Sequence, residues 1–245
     1  SMLLAQLGQS GKSYRRELRK GCKHLVSEIY SPPRITKEIK RGRYRNLAPG
    51  FALDLTVIDP EDGQPWDFSK KEKGDKARRM QREQEPILLI GSPMCTPFST
   101  WQYLNFSKSQ DKEAIAIAFE GACVHMKFVS EMYHEQLESN RYFLHEHPRY
   151  ATSWQLECMA ALEKISGVET VRGDQCHYGA VAAAGSDKGK PIKKPTGFMS
   201  NSPEILHALS RICVGRRGYC SRPEGGRHGS CSGKTAKEAA KYPRE

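Results

Sequence analysis

Hydrophobic and polar positions along the chain switch between two periods. Short apolar runs bounded by turn residues, the pattern of strands buried in a sheet, occur at Leu25 to Tyr30, Phe51 to Ile58, Ile87 to Ile90, Tyr142 to Leu144, Val168 to Val171 and Thr196 to Ser200. Between them apolar residues recur at helical spacing. Gln110 to Leu137 lines up Ile115, Ile117, Phe119, Cys123, Met126, Phe128 and Met132 as a core face, Ser153 to Ile165 is amphipathic with Ser153 as its N-cap, and Pro203 to Ile212 follows a capping Ser202. Lys12 to Lys23 predicts a basic helix, Lys70 to Glu85 a solvated helix or loop, and Thr235 to Tyr242 a last helix. Pro32 and Pro33 stop the first strand, Asp59 to Gly63 reads as a turn, and the small, Gly-rich stretch Ala180 to Lys190 as a mobile connection. Alternating strands and helices predict an α/β fold, a mainly parallel, doubly wound sheet with helices on both faces.

Composition narrows the setting. The chain has 245 residues, enough for one large domain, and no apolar run long enough to span a bilayer. With no secretory signal and eight widely spread cysteines, the expected protein is soluble and intracellular with reduced thiols, nuclear if eukaryotic, and no membrane partner. The net charge of +11 is uneven: residues 1–50 hold 12 Lys/Arg against 3 Asp/Glu and residues 186–245 hold 13 against 5, while the middle is mildly acidic. Basic flanks, including Arg15, Arg16 and Arg19, suit a polyanion, and nucleic acid is the usual one.

The candidate chemistry lies at strand ends, where open α/β sheets bind ligands. Cys95 follows Ser92-Pro93-Met94 directly after the third strand, within Cys95-Thr-Pro-Phe-Ser99. A thiolate there would be a strong nucleophile if its surroundings lowered its pKa; a buried structural thiol is the plain alternative. His145-Glu146-His147-Pro148 closes the fourth strand, offering a carboxyl group for proton traffic. Asp54, ending the second strand, stands where nucleotide-binding sheets place the acidic group that holds ribose hydroxyls.

These loop ends, taken in order with Glu28-Ile-Tyr30, Trp66-Asp67-Phe68, Tyr178-Gly179, Pro191-Ile-Lys193-Lys194 and Thr235-x-x-Glu-Ala-Ala-x-x-Pro243, resemble the C5-cytosine DNA methyltransferases over about residues 25–243. The chain is also similar to cytosine-methyltransferase-like segments of mobile-element polyproteins. The resemblance implies a Rossmann-like class I methyltransferase using S-adenosylmethionine. Cys95 would add to cytosine C6, Glu146 would hold or protonate N3, and Lys194 would assist. Glu28, Tyr30, Ser31, Asp54, Asp67, Phe68, Ser92 and Pro93 would surround the cofactor, Tyr30 lying against the adenine and Asp67 accepting from its amino group. Ser99, Lys193 and the N-terminal arginines would hold nucleic acid, DNA favoured over RNA, with the base flipped out or unpaired. The implied domains are a basic extension (1–24), a catalytic domain (25–200), a short Gly/Arg/Cys-rich insert (201–234) in place of a target-recognition domain, and a returning helix (235–245). A protein partner or a further polyprotein segment would then supply target recognition. Ser31-Pro32-Pro33-Arg34 stands where the family has a glycine-rich cofactor loop.

Other readings stay open. A catalytically inactive nucleic-acid-binding module would keep the fold and basic ends without turnover. An amino-methyltransferase of adenine or cytosine would use Ser92-Pro93-Met94 but wants an aromatic residue where Cys95 stands. A cysteine hydrolase would pair Cys95 with His145 or His147. No metal is expected; the one weak set is Cys213, Cys220, His228 and Cys231, spaced more loosely than the common zinc patterns.

Overall fold

The computed structural model describes residues 24–42, 44–99, 112–231 and 235. Its strands and helices alternate as follows: β1 (His24–Ile29), α1 (Ile35–Lys40), β2 (Leu47–Leu53), α2 (Lys71–Gln84), β3 (Leu88–Gly91), α3 (Lys112–Glu138), β4 (Tyr142–Pro148), α4 (Glu157–Glu163), β5 (Glu169–Asp174), β6 (Pro195–Ser200) and α5 (Pro203–Leu209). The strands form a six-stranded, mostly parallel sheet flanked by helices, in the order β2-β1-β3-β4-β6-β5. β1 runs parallel to β2 and β3, while β6 is antiparallel to both β4 and β5. This is an α/β architecture compatible with a Rossmann-like fold, and among the described residues no helix is long and apolar enough to cross a membrane.

The chain divides into two compact units, Ser1–Pro93 with Phe128–Phe143, and Met94–Lys127 with Leu144–Glu245. In the first, Val26, Ile29, Leu53, Leu89, Met132 and Tyr133 are buried, with the Tyr133 ring stacked on Phe143 at 4.6 Å. Gln136, fully buried on α3, makes four hydrogen bonds. Its amide donates to the Pro86 and Tyr142 carbonyls at 2.9 and 2.8 Å, and its carbonyl accepts from Gln81 and Arg141, both at 3.1 Å. It therefore satisfies backbone groups at the starts of two strands that would otherwise be stranded away from water. Gln136→Leu should cost about 2–4 kcal/mol, since each orphaned buried group costs about 1–3 kcal/mol. Urea unfolding checks this: the midpoint should fall with an unchanged slope.

Several elements differ from the sequence expectation for identifiable reasons. α2 is not a purely solvated helix. Lys73 is buried and pairs with Asp59 at 2.6 Å, while Lys76 reaches Asp59 at 2.8 Å and Gln81 donates to the Met132 carbonyl at 2.9 Å. The two lysines also lie over the Trp66 ring. Charge pairing buries this face, which apolar periodicity does not register. β2 begins at Leu47 and passes through Pro49 and Gly50, as the outermost strand among the described residues can. In α3 the packed side chains belong to the later turns; Ile117 and Phe119, expected in the core, are 63% and 38% exposed.

In the second unit, Ser153 does not cap a helix. It sits in a 3-10 turn, Thr152–Gln155, preceding α4. Ser202 does cap α5, its hydroxyl accepting from the Ile205 N–H. The Ala180 to Lys190 connection is closed on itself rather than loose. The Ala182 N–H donates to the Lys190 carbonyl at 2.9 Å, Lys190 pairs with Asp187, and Val181 bridges to Pro191. The basic helix expected before residue 24 lies outside the described residues. So, apart from Thr235, does the final helix.

Candidate active site

The second unit holds the expected nucleophile, carboxyl group and cation. Cys95 stands at the head of a 3-10 turn, Thr96–Phe98, and is half-buried. Its loop is fixed on both sides. Phe98, fully buried, meets Phe119 and His147 edge-on at 5.4 and 5.9 Å, and the Thr152 hydroxyl donates to the Phe98 carbonyl at 3.4 Å. On the other side, His147 Nε2 lies 3.4 Å from the Met94 carbonyl, while its Nδ1 is 2.6 Å from the Ser153 hydroxyl. A carbonyl can only accept, so the Nε2 contact fixes the tautomer: Nε2 carries the proton and Nδ1 accepts from Ser153. His147, Ser153 and Thr152 are thus positioning residues for the cysteine loop. The sequence offered one signal for them, the alternation within His145-Glu146-His147.

That alternation separates roles on β4. Phe143, His145 and His147 are buried, while Leu144, Glu146 and Pro148 take the less buried face. Glu146 pairs in register with Phe198 of β6. Its Oε1 is buried and has no hydrogen-bond partner among the described residues. A buried carboxylate oxygen without a donor is costly, and a substrate N–H is one way to satisfy it. Electrostatics couple the three groups. Burial holds the Cys95 thiol above its ordinary range, the Lys194 ammonium pulls it down, and the Glu146 carboxylate pushes it up again.

His145 is fully buried, stacked on His147 and edge-on to Trp154. Burial, reinforced by His147, drives its ionisation well below the ordinary imidazole value. The folded protein therefore keeps His145 neutral where the unfolded chain takes up a proton, below about pH 6.5. Its share of stability is present above that pH and is lost as pH falls toward the folded value. Denaturation midpoints should drop between pH 7.5 and pH 5.5, and His145→Phe should flatten that slope.

The first unit holds the residues assigned to the cofactor, and most of them are turned to structural work. Glu28 is buried. Its carboxylate accepts from the Ser31 hydroxyl at 3.0 Å, the Arg34 N–H at 3.1 Å, and the Thr36 N–H and hydroxyl at 2.8 and 2.7 Å. Glu28 and Ser31 thus close the Pro32-Pro33 loop on itself instead of facing a ligand. Tyr30 is 4% exposed and edge-on to Phe68 at 4.8 Å, and Phe68 in turn stacks on Phe128 at 5.0 Å. Neither ring has a face open for an adenine. Tyr30 also has a φ of 54°, a left-handed conformation unusual for a bulky residue. Asp67 accepts from the Ser69 N–H and hydroxyl at the approach to α2. Asp54 accepts from the Thr56 N–H through Oδ1 in the same kind of turn, and no hydrogen bond to its Oδ2 is formed among the described residues. Ser92 donates its N–H to the Ile29 carbonyl, and Pro93 is buried. Of the expected set, Asp54 is the residue with a carboxylate oxygen, Oδ2, that takes part in no hydrogen bond among the described residues and has no role in its own loop.

The nucleic-acid candidates divide similarly. Ser99 is half-buried and closes the cysteine turn through its N–H. Lys193 donates to the Cys213 carbonyl at 3.0 Å and lies 3.8 Å from Asp174, so it ties loops together. Arg15, Arg16 and Arg19 lie outside the described residues. Cys231, one of the four weak metal candidates, packs instead against Ala182 and Ile192.

The fold and these strand ends define an α/β protein with a thiol, a carboxylate and an ammonium gathered in one unit. No protein-family model matches the chain, and no curated protein matches it.

Proposed function

We propose that this chain is an S-adenosylmethionine-dependent methyltransferase that acts on cytosine C5 in nucleic acid, DNA before RNA, with Cys95 as nucleophile. The observation that carries the reading is the buried, unsatisfied Glu146 oxygen within electrostatic reach of a half-buried Cys95 and Lys194. The cytosine ring does not donate from C5 until a nucleophile has added at C6. The Cys95 thiol passes its proton to the Glu146 carboxylate, its sulfur bonds to C6, and the electron pair displaced from the C5–C6 double bond runs through the ring to N3, where Glu146 hands the proton on so that charge does not build up. Once C5 carries the methyl group, loss of the C5 proton to water would restore the double bond and expel the sulfur. In the resting protein the thiol is held protonated by burial and by Glu146. A base that engages the carboxyl group removes that repulsion and leaves Lys194 to favour the thiolate.

S-adenosylmethionine would supply an electrophilic methyl group. The residues the resemblance assigns to it fit only in part: Asp54 suits its ribose, whereas Glu28, Ser31, Tyr30 and Phe68 are occupied within the first unit. That closed loop favours a second reading, a nucleic-acid-binding module without turnover. The basic flanks serve either reading. A partner protein or a longer polyprotein would supply target choice.

One paired experiment decides between them. S-adenosylmethionine is titrated calorimetrically, and transfer of labelled methyl groups is followed on cytosine-containing single-stranded DNA, duplex DNA and RNA. Saturable heat with label at C5 supports the enzyme. Binding of nucleic acid with neither heat nor transfer supports the module.

A further inference from the structure

Where β5 ends, its exit loop meets the Gly/Arg/Cys-rich stretch that follows α5. Cys176 comes from the 3-10 turn Gln175–Tyr178, while Cys213, Cys220 and His228 come from the later stretch. Their four ligand atoms all lie within 4.8 Å of one another. The Cys213 sulfur is 3.8 Å from the Cys220 sulfur and 3.6 Å from His228 Nε2. A tetrahedral ion with bonds of about 2.3 Å to sulfur and about 2.0 Å to nitrogen sets its ligands roughly 3.8 and 3.6 Å apart. A disulfide needs sulfurs about 2.0 Å apart, so the Cys213 and Cys220 spacing is that of ligands and not of a bond.

We infer that Cys176, Cys213, Cys220 and His228 form a structural zinc site clamping the 213–228 loop onto the end of β5. The backbone is built for it. Residues 218–228 fold back as a short ribbon in which the Cys220 N–H donates to the Gly226 carbonyl at 2.8 Å and the His228 N–H to the Gly218 carbonyl at 2.7 Å. Those bonds set two ligands on facing arms. A Cβ at Gly215 would land on the Tyr219 carbonyl, and one at Gly225 would lie 2.9 Å from the Cys220 sulfur, so the ribbon closes this tightly only with glycine at both positions. Outer contacts orient the ligands as zinc sites require. The N–H and hydroxyl of Ser221 donate to the Cys213 sulfur at 3.4 and 3.5 Å. The Cys213 N–H donates to Asp174 at 2.9 Å, and Arg222 donates to the Cys176 carbonyl at 3.2 Å. Three soft thiols and one imidazole, with no position left for water, match a closed structural zinc site.

The full chain, purified under reducing conditions without added chelator, is measured for bound metal and by native mass spectrometry. One zinc per chain is expected. Cobalt(II) added to the zinc-stripped protein should give the intense visible absorption of tetrahedral thiolate coordination. Cys176→Ser and Cys213→Ser should each lose stoichiometric zinc, whereas Cys231→Ser keeps it. Should a ligand variant fail to fold, the wild-type cobalt spectrum and the Cys231→Ser protein still decide. The inference is overturned by a zinc-free protein that gives no tetrahedral cobalt spectrum, by a Cys213–Cys220 disulfide in the reduced preparation, or by equal metal loss in Cys231→Ser. None of these readouts depends on methyl transfer, so the site and the proposed activity stand or fall separately.

Discussion

Cys95→Ala should abolish covalent capture of a 5-fluorocytosine oligonucleotide. With the wild-type chain, cofactor present, the fluorinated ring should be trapped after addition of sulfur at C6, because fluorine at C5 cannot leave as a proton does. The adduct should resist denaturation and map to Cys95 by peptide mass. In the alanine variant no adduct should form, and methyl transfer should fall by at least roughly 10,000-fold, the scale on which losing a covalent nucleophile acts. Nucleic-acid affinity should stay within a few-fold, since the loop's anchors, Phe98 and His147, are untouched. If Cys95→Ala keeps both adduct and turnover, the nucleophile lies elsewhere.

Glu146→Gln should have the second large effect, and it separates two quantities. Methyl transfer should fall roughly 100- to 10,000-fold, the range for removing a positioned acid. The thiol should move the other way. The carboxylate holds the Cys95 pKa up, so removing its charge shifts the pH midpoint of iodoacetamide alkylation downward, and the thiol reacts faster near neutrality. Lys194→Met should shift the midpoint upward. An enzyme that turns over more slowly while its cysteine becomes more reactive is not explained by simple misfolding. An unchanged midpoint in both variants would break the proposed link between the three groups.

The α/β architecture was readable because buried strands and helical faces carry their own periods. The apolar run before Cys95 became β3, and Tyr142 to Leu144 marked the start of β4. What the pattern could not carry was side-chain direction at the ends of those strands. Glu28 and Tyr30 stand where a nucleotide site would draw ligands, yet one is ringed by the N–H and hydroxyl donors of its own loop and the other is packed beneath Phe68. Local hydrogen bonding decided both, and neither hydrophobic spacing nor charge reports it. Cys176 was missed for a related reason. It lies far back in the chain from Cys213, so nearness along the sequence favoured Cys231, while the exit of β5 brought Cys176 alongside Cys213 in space. His147 was visible only through the alternation within His145-Glu146-His147 and as one of two histidines that could pair with Cys95. Its work on the Met94 carbonyl needs the cysteine loop folded over it.

Pro49 gives the rim of the sheet a further property. It sits in the outermost strand and lacks the donor that a neighbouring chain would need to continue the ladder past it. Copies of the protein meeting along this border would find their pairing interrupted after a few residues. The Phe51 N–H further along the same strand is already taken by the Gln84 side chain at 3.2 Å, so two successive positions of this border give an incoming strand no free N–H to pair with.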